Sequence, residues 1–202
     1  MQDGGGVGPR PLGPGIPDRF FLRAEKIPLT KAPVRAQLMA MLRPKENAVC
    51  WDVGCGTGGV TAELAEACPL GTVYAVDDNG EACTMTRANA ARNGHLNVHV
   101  IEGKAPEALF MLPAPDCVFI GGSQGAADEI VSLALQKNPS AVIGITAVTM
   151  ETAAVITALF KRYEAEGFLT ECVQISASVG SKAGRYHLFK AENPVWIAVL
   201  KR

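Results

Sequence analysis

The 202-residue sequence has no run of about 18 apolar residues, the length that a helix needs to cross a bilayer. It also has no basic N-terminal stretch followed by an apolar one, so we expect no secretory leader. Its 19 Lys and Arg are balanced by 20 Asp and Glu, which leaves no basic excess of the kind that coats nucleic acid. These absences favour a cytoplasmic protein that has neither a membrane nor a nucleic acid as partner.

The six cysteines form no Cys-x-x-Cys pair, the spacing typical of structural zinc sites. Hydrophobic residues make up 48% of the chain, enough for one sizeable core without disulfides. We therefore predict buried, reduced thiols and no metal.

The order of apolar and polar segments predicts the domain organisation and the fold class. Nine of the first 15 residues are Gly or Pro, which predicts a flexible tail over residues 1–15 and a single domain over residues 16–202. Further along, apolar runs alternate with helical patterns, as in βαβ units around a parallel sheet. The predicted helices cover residues 32–42, 60–67, 81–93, 106–112, 126–136 and 151–166, and the predicted strands 48–53, 72–76, 97–101, 117–120 and 141–146. Two last strand-like runs, 169–177 and 195–200, are separated by a loop and predict an antiparallel pair at the end of the sheet.

A glycine-rich turn lies directly after the first predicted strand and before a helix. Residues 52–59 read Asp-Val-Gly-Cys-Gly-Thr-Gly-Gly. Glycines let the backbone approach a ligand closely, and doubly wound sheets bind ligands at the carboxyl ends of such strands. Gly54, Gly56 and Gly59 fit a dinucleotide, whereas Gly54, Gly56 and Gly58 fit S-adenosylmethionine, so the glycines alone leave both cofactors open.

Two carboxylates and the end of the sheet favour S-adenosylmethionine. Asp52 can face the cationic methionine end of that cofactor, whereas it would oppose a pyrophosphate. Asp77, at the end of the second predicted strand, can accept both ribose hydroxyls of either cofactor. A terminal antiparallel pair is the usual ending of the methyltransferase fold. We therefore predict an α/β protein with the class I S-adenosylmethionine-dependent methyltransferase fold: a seven-stranded, mostly parallel sheet with a C-terminal antiparallel hairpin.

Charge is unevenly distributed along the chain. Residues 1–45 carry eight basic and three acidic side chains (net +5), residues 46–171 six and sixteen (net -10), and residues 172–202 five and one (net +4). Two basic ends around an acidic body would attract an anionic substrate. The candidate residues of this basic mouth are Arg19, Arg23, Lys26, Lys31 and Arg35 at one end and Lys182, Arg185 and His187 at the other.

The loop after the fourth predicted strand bears on the substrate. It reads Gly-Gly-Ser-Gln-Gly over residues 121–125. Enzymes that methylate amino groups of nucleic acids place an Asn/Asp-Pro-Pro-aromatic motif at this position, and this loop has no aromatic ring on which a base could stack. It offers backbone amides and small polar groups, with Ser123 and Gln124 as the candidate catalytic hydrogen-bonding residues.

Taken together, the motifs resemble those of the decarboxylating carbon-15 methyltransferases of cobalamin biosynthesis, the smaller partner or domain in precorrin-6Y C5,15-methylation. The resemblance covers about residues 15–200. The shared motifs are Gly-Ile-Pro-Asp at 15–18, Leu-Thr-Lys at 29–31, Trp-Asp-Val-Gly-Cys-Gly-Thr-Gly at 51–58, Gly-Gly-Ser at 121–123, Ala-Val-Thr-Met-Glu-Thr at 147–152 and Asn-Pro-Val at 193–195. Two residues depart from the family pattern: Gln124 replaces a usual glycine, and Lys104 replaces a usual aspartate.

The resemblance implies both ligands. S-adenosylmethionine would be the cofactor and S-adenosylhomocysteine the product. The substrate would be a carboxylate-rich tetrapyrrole of the (cobalt-)precorrin-6B/6Y type, methylated at carbon 15 with decarboxylation of an acetate arm. The cofactor residues are then Thr30, Gly54, Cys55, Gly56, Thr57, Gly58, Asp77, Lys104 and Ala105, and the charge of Asp52 adds this residue to them. The substrate residues are Arg19, Arg23, Lys31, Gly121, Gly122 and Arg185. The family also implies a homotetramer and functional pairing with a carbon-5 methyltransferase.

Three other functions stay open on the sequence alone. They are another small-molecule or RNA methyltransferase of the same fold, a dinucleotide-dependent oxidoreductase, and a catalytically silent scaffold. The second half of the chain offers no obvious acid or base for hydride transfer, which disfavours the oxidoreductase.

Overall fold

The computed structural model describes residues 13–202, so the first twelve residues of the predicted tail lie outside the described residues. The α-helices are α1 Ala32–Leu42, α2 Gly59–Ala67, α3 Gly80–Arg92, α4 Ala127–Lys137 and α5 Met150–Ala165, with short 3-10 helices at Asp18–Phe20 and Glu107–Leu109. The strands are β1 Val49–Val53, β2 Thr72–Asp77, β3 Val98–Glu102, β4 Cys117–Ile120, β5 Val142–Ala147, β6 Leu169–Ile175, β7 Ser178–Ala183, β8 Tyr186–Ala191 and β9 Val195–Lys201. None of the helices in residues 13–202 combines the length and the apolar content that a membrane crossing requires.

Seven strands form one sheet in the order β3-β2-β1-β4-β5-β9-β6. The first five are parallel, and β9 runs antiparallel between β5 and β6. The prediction of a mostly parallel seven-stranded sheet that ends in an antiparallel pair is confirmed. The strand order reverses between β1 and β4, and a crevice for a ligand opens at such a reversal, outside the carboxyl ends of the strands.

Helices cover both faces of the sheet, which is why its central strands are nearly continuous apolar runs. On one face, Trp51 and Ile143 pack with α4 and α5, through residues such as Ile130. On the other, Phe119 packs with Leu38 of α1 and with α2. Because both faces are buried, the sequence signal for these strands is their apolar run rather than an alternation of polar and apolar residues.

Residues 16–31, here called the strap, cross the start of α2 before the chain enters α1. The strap buries Ile16, Phe20 and Phe21 against Ala62 of α2. At its beginning, the backbone N–H groups of residues 15 and 16 donate to the buried Glu63 carboxylate, over 3.0 and 2.8 Å. The strap is therefore part of the packed domain.

Two segments differ from the sequence prediction. The predicted helix over residues 106–112 is a single 3-10 turn, because Pro113 and Pro115 directly after it lack the N–H donors with which a longer helix would continue. The predicted loop between the last two strands of the sheet contains a second hairpin, β7 paired antiparallel with β8. Every residue of β7 and β8 is exposed. Since the hairpin has no buried face, no regular apolar pattern marked it in the sequence.

Candidate functional site

A cleft with a volume of about 230 Å³ opens at the carboxyl ends of β1, β2 and β4. Its lining comes from residues 26–28 of the strap, the turn after β1, residues 76–79 after β2, residues 103–105 after β3 and residues 121–124 after β4. The cleft thus lies where the strand order reverses, the place at which doubly wound sheets bind their ligands.

The glycine loop, residues 54–59, approaches its neighbours backbone to backbone. The Gly54 N–H donates to the Val76 carbonyl over 2.8 Å, and the Gly121 N–H donates to the Val53 carbonyl over 2.9 Å. A Cβ on Gly54 would lie 2.6 Å from the backbone nitrogen and oxygen of Gly122, and Gly54 has φ of +75°. Only glycine fits between the three strand ends here.

Asp77 is held at the end of β2 with both carboxylate oxygens engaged. Oδ2 accepts the Gly56 N–H over 2.9 Å, and Oδ1 accepts the Asn79 N–H over 3.0 Å. Each carboxylate oxygen can accept a second hydrogen bond, and the side chain lines the cleft. The structure therefore places Asp77 where it can accept from ligand hydroxyls while it holds the glycine loop.

Asp52 is not at the cleft surface, which corrects the expectation that it faces the cofactor. Successive β1 residues point to opposite faces, and this one points toward α2, where Oδ2 accepts the Thr61 hydroxyl. The side chain is fully buried, and this burial raises the pKa of Asp52 from an ordinary value of 3.8 to about 7. Asp52 therefore joins β1 to α2 and does not line the cleft.

The raised pKa of Asp52 predicts a pH-dependent stability. Between about pH 4 and 7 the unfolded chain has lost this proton while the folded chain keeps it, so the free energy of unfolding falls as pH rises. The scale is on the order of 1.4 kcal/mol per pKa unit. Asp52→Asn cannot titrate and should flatten this part of the curve, measured by urea unfolding at several pH values, whereas Asp128→Asn on the surface should not. Parallel curves for the native protein and Asp52→Asn would contradict the prediction.

Four other predicted cofactor residues border the cleft without lining it. The Thr57 hydroxyl donates to the Pro28 carbonyl over 3.2 Å, and the buried Cys55 thiol accepts from Thr86 over 3.4 Å. Gly58 caps α2 with φ of +79°. The Thr30 carbonyl accepts from Arg35, so this residue anchors the strap. The predicted cofactor residues that do line the cleft are Gly54, Gly56, Asp77, Lys104 and Ala105.

Two buried polar residues of α3 were missed by the sequence analysis. Thr86 donates its hydroxyl to the Gly56 carbonyl over 2.9 Å. Asn89 donates to the Thr57 carbonyl over 2.8 Å and to the Leu22 carbonyl over 3.1 Å, which ties the glycine loop to the strap. Their spacing of three residues puts both on one helix face. Polar side chains on the buried face of a helix were the available signal.

One of the eight candidate residues of the predicted basic mouth is buried. Arg35 is fully buried against Glu63 and Asp18, so it does not belong to a mouth. Arg19 and Lys26 are exposed on the strap. Arg23 is also exposed and pairs with Asp18 over 3.2 Å, and Lys31 pairs with Glu192 over 3.8 Å. The three candidates at the other end of the chain are exposed on the β7–β8 hairpin: Lys182, Arg185 and His187. The Lys31–Glu192 pair connects the strap with the end of that hairpin.

The loop after β4 lies at the cleft as predicted. Gly121, Gly122, Ser123 and Gln124 all line it. The Gln124 side-chain amide donates to Asp78 Oδ2 over 2.7 Å and so bridges the loops after β4 and β2. Gln124 has φ of +48°, a conformation that glycine adopts more easily.

Comparison with known proteins places the chain in a family. Residues 22–202 match the family model of the precorrin methyltransferase domain. The chain belongs to the precorrin methyltransferase family. The family predicted from the sequence motifs is thus confirmed, and so is the class I methyltransferase fold.

Two relatives are corrin methyltransferases, and a more distant structure shares the fold. The chain is similar to a probable cobalt-precorrin-6B C(15)-methyltransferase (decarboxylating) from Pyrobaculum calidifontis, at 40% identity over 91% of this chain and 94% of the relative. It is also similar to the crystal structure of precorrin-6y C5,15-methyltransferase from Geobacter metallireducens, with a TM-score of 0.83 and 34% identity over 94% of this chain and 97% of that one. An S-adenosylmethionine-dependent O-methyltransferase from Thermotoga maritima shares the fold alone, with a TM-score of 0.69 and 16% identity over 88% of this chain and 68% of that one.

Proposed function

We propose that the protein transfers a methyl group from S-adenosylmethionine to carbon 15 of a (cobalt-)precorrin-6 type corrin precursor, with loss of the carboxyl group of an acetate arm. The observation that carries the proposal is its 40% identity, over nearly the whole of both chains, to a probable decarboxylating C(15)-methyltransferase. The cleft at the strand-order reversal supports it independently, because its lining suits a nucleoside cofactor.

The residues of the cleft fit S-adenosylmethionine. The close approach of Gly54 to Gly122 leaves a cradle that a single Cβ would fill, and Asp77 stands at the end of β2 with hydrogen-bonding capacity left. Asp77 would hold the ribose hydroxyls, and Lys104 and Ala105 would lie beside the adenine. In residues 13–202, no group of three or more His, Cys, Asp or Glu is arranged to hold a metal ion.

The chemistry requires mainly alignment. S-adenosylmethionine supplies a methyl group on a positively charged sulfur, and its thioether is a good leaving group. The chain's own task is to hold donor and acceptor in line, which can contribute several kcal/mol to catalysis. The contact between the glycine loop and Gly122 fixes the cofactor segment against the substrate loop, where Ser123 and Gln124 can donate hydrogen bonds to the substrate.

Decarboxylation needs no dedicated base on the protein. The conjugated macrocycle supplies the electron pair of the new bond to the methyl group. When the carboxylate leaves as CO2, the pair of the broken carbon–carbon bond returns to the same conjugated system. The protein's part is to hold the reacting arm in a desolvated position while cations bind the other carboxylates. The exposed Arg19 and Lys26 of the strap and Arg185 of the β7–β8 hairpin are the candidates for those cations.

Arg19→Ala should separate substrate binding from cofactor binding. An exposed cation that pairs with a substrate carboxylate is worth on the order of 1 kcal/mol, so KM for the corrin precursor should rise several-fold. The affinity for S-adenosylhomocysteine should stay the same, and added salt should reduce the difference from the native protein. Lys161→Ala, on the exposed side of α5, is the matched control. A loss of cofactor affinity in Arg19→Ala, with KM for the precursor unchanged, would contradict the basic mouth.

We also infer that the protein forms a homotetramer through the β7–β8 hairpin. A lone two-stranded hairpin is only marginally stable, yet this one exposes apolar side chains, including Leu188 and Phe189, at 56% and 86% of their surface. Apolar surface of this kind commonly marks a protein interface. The C5,15 name of the Geobacter relative supports functional pairing with a carbon-5 methyltransferase as well.

The proposed tetramer predicts that a charge introduced into the β7–β8 hairpin disrupts the association of the chains. Leu188→Lys should lower the mass measured by analytical ultracentrifugation to that of a smaller species, because burying the new ammonium is costly. Leu96→Lys changes a leucine that is 95% exposed in the loop between α3 and β3, and it should leave the mass as it is. An unchanged mass for Leu188→Lys would contradict this interface.

Formation of S-adenosylhomocysteine tests the proposed function against its nearest alternative. We expect the protein to form it from S-adenosylmethionine in the presence of a corrin precursor and not in the presence of tRNA. Calorimetric titration should show binding of S-adenosylhomocysteine and none of NAD or NADP. Turnover with tRNA alone, or binding of NAD alone, would overturn the proposal.

A further inference from the structure

Arg35, the fourth residue of α1, has a guanidinium group that is completely buried. Its Nε donates to Glu63 Oε1 over 3.0 Å, and its Nη1 donates to Asp18 Oδ1 over 3.0 Å. The group also lies over the Phe21 ring, 4.8 Å from the ring centre. A buried arginine with two carboxylate partners is costly to desolvate, so a fold keeps it only where its geometry is well satisfied.

The remaining hydrogen bonds of this guanidinium join the two ends of the strap. Nη2 donates to the Ile16 carbonyl, near the start of the strap, and Nη1 donates to the Thr30 carbonyl, near its end. Asp18 adds a second link, because its Oδ1 also accepts the Ala32 N–H over 3.0 Å. One side chain therefore closes the strap into a loop. Its hydrogen bonds offset the entropic cost of bringing the two ends of the strap together.

The middle of that closed loop forms a wall of the cofactor cleft. Lys26, Ile27 and Pro28 line the cleft, and the Pro28 carbonyl accepts the Thr57 hydroxyl of the glycine loop. A Cβ on Gly59 would lie 2.6 Å from Leu29 and 3.4 Å from Cδ of Arg35. Strap, glycine loop and Arg35 are thus packed as one unit, in which a shift of the strap moves the cleft wall.

We propose that Arg35 is a positioning residue for cofactor binding: it holds the strap in the position in which residues 26–28 complete the cleft, without itself lining it. The identity of the cofactor rests on the proposed function, whereas the ordering of the strap does not. If Arg35 only stabilised the fold, its replacement would only lower the unfolding temperature of the whole domain. If Arg35 positions the strap, its replacement also loosens the strap relative to the sheet and weakens cofactor binding in a protein that is still folded.

Arg35→Lys is the sharpest variant, because it keeps the charge but replaces the rigid fork by one ammonium that cannot reach all four acceptors in the same geometry. We expect a tenfold or greater loss of affinity for S-adenosylhomocysteine by calorimetry, a raised KM for S-adenosylmethionine and a retained kcat at saturation. In the protein without added ligand, hydrogen exchange of amides in residues 22–30 should accelerate while those of β4 and β5 keep their rates. Arg162→Lys, an exposed arginine paired with Asp128 and Glu166 on α5, should change none of these.

The outcomes separate the inference from the proposed function. If the native protein fails to bind S-adenosylhomocysteine, the proposed function falls, and hydrogen exchange of the strap still tests the role of Arg35. If folded Arg35→Lys binds like the native protein and its strap exchanges at native rates, the inference is overturned. If Arg35→Lys does not fold, Asp18→Asn takes its place, since it weakens the same network at its half-buried end. Native affinity and native strap exchange in Asp18→Asn would then overturn the inference.

Discussion

Gly54→Ala should weaken the binding of S-adenosylhomocysteine by about a hundredfold or more. The new Cβ would lie 2.6 Å from backbone atoms of Gly122, and backbone cannot move aside as a flexible side chain can. The residue would also be strained by its φ of +75°. Together these costs are on the order of 3 kcal/mol or more. If the glycine loop moves to relieve them, the cofactor loses about a hundredfold or more in affinity. Calorimetry on the folded variant measures the effect.

Gly94→Ala is a matched control for this variant. Gly94 has nearly the same φ, +76°, but no atom lies within 4 Å of the Cβ that alanine would add. It should therefore lose about 1 kcal/mol of stability through backbone strain and keep its cofactor affinity. Equal affinities for the two variants would show that the contact between Gly54 and Gly122 does not shape the cofactor site.

Asp77→Ala should weaken binding of S-adenosylhomocysteine by about 1–3 kcal/mol, the usual cost of deleting a charged hydrogen-bond partner. The change removes the acceptor proposed for the ribose hydroxyls and also the acceptor of the Gly56 N–H, which helps to hold the glycine loop. Calorimetric titration of the variant against the native protein gives the difference in binding free energy.

The neighbouring Asp78→Ala separates the ribose contact from a general effect of charge. Asp78 also lines the cleft, but its Oδ2 accepts from the exposed Gln124 amide, so its loss should cost clearly less affinity. If the two variants lose affinity equally, Asp77 does not have the specific role assigned to it.

The sequence predicted best what depends on strong local patterns. The central strands β1, β4 and β5 are largely buried on both faces, and the apolar runs of β1 to β5 were readable to within a residue or two. The glycine loop marked the cleft directly. The β7–β8 hairpin has no buried face and therefore no regular pattern. In the proposed tetramer a neighbouring copy of the chain would cover it, and the sequence of one chain does not display that surface.

The errors at Arg35 and Asp52 have a common physical origin. Counting charge along the chain assumes that charged side chains are solvated, which is the usual case. Arg35 is instead paired with Asp18 and Glu63, 17 and 28 residues away in sequence, and only the tertiary fold brings the three together. Asp52 was placed by its distance from the glycines, whereas the alternation of β1 directs its side chain away from the cleft toward α2.

Mass spectrometry of the corrin product tests the central claim most directly. The purified protein is incubated with S-adenosylmethionine and the corrin precursor, and the macrocycle is analysed together with the S-adenosylhomocysteine formed. We expect a product that has gained one methyl group and lost one carboxyl group, with one equivalent of S-adenosylhomocysteine for each product molecule. A macrocycle that is methylated but keeps all its carboxyl groups, or one that is unchanged by a protein that binds S-adenosylhomocysteine, would contradict the account.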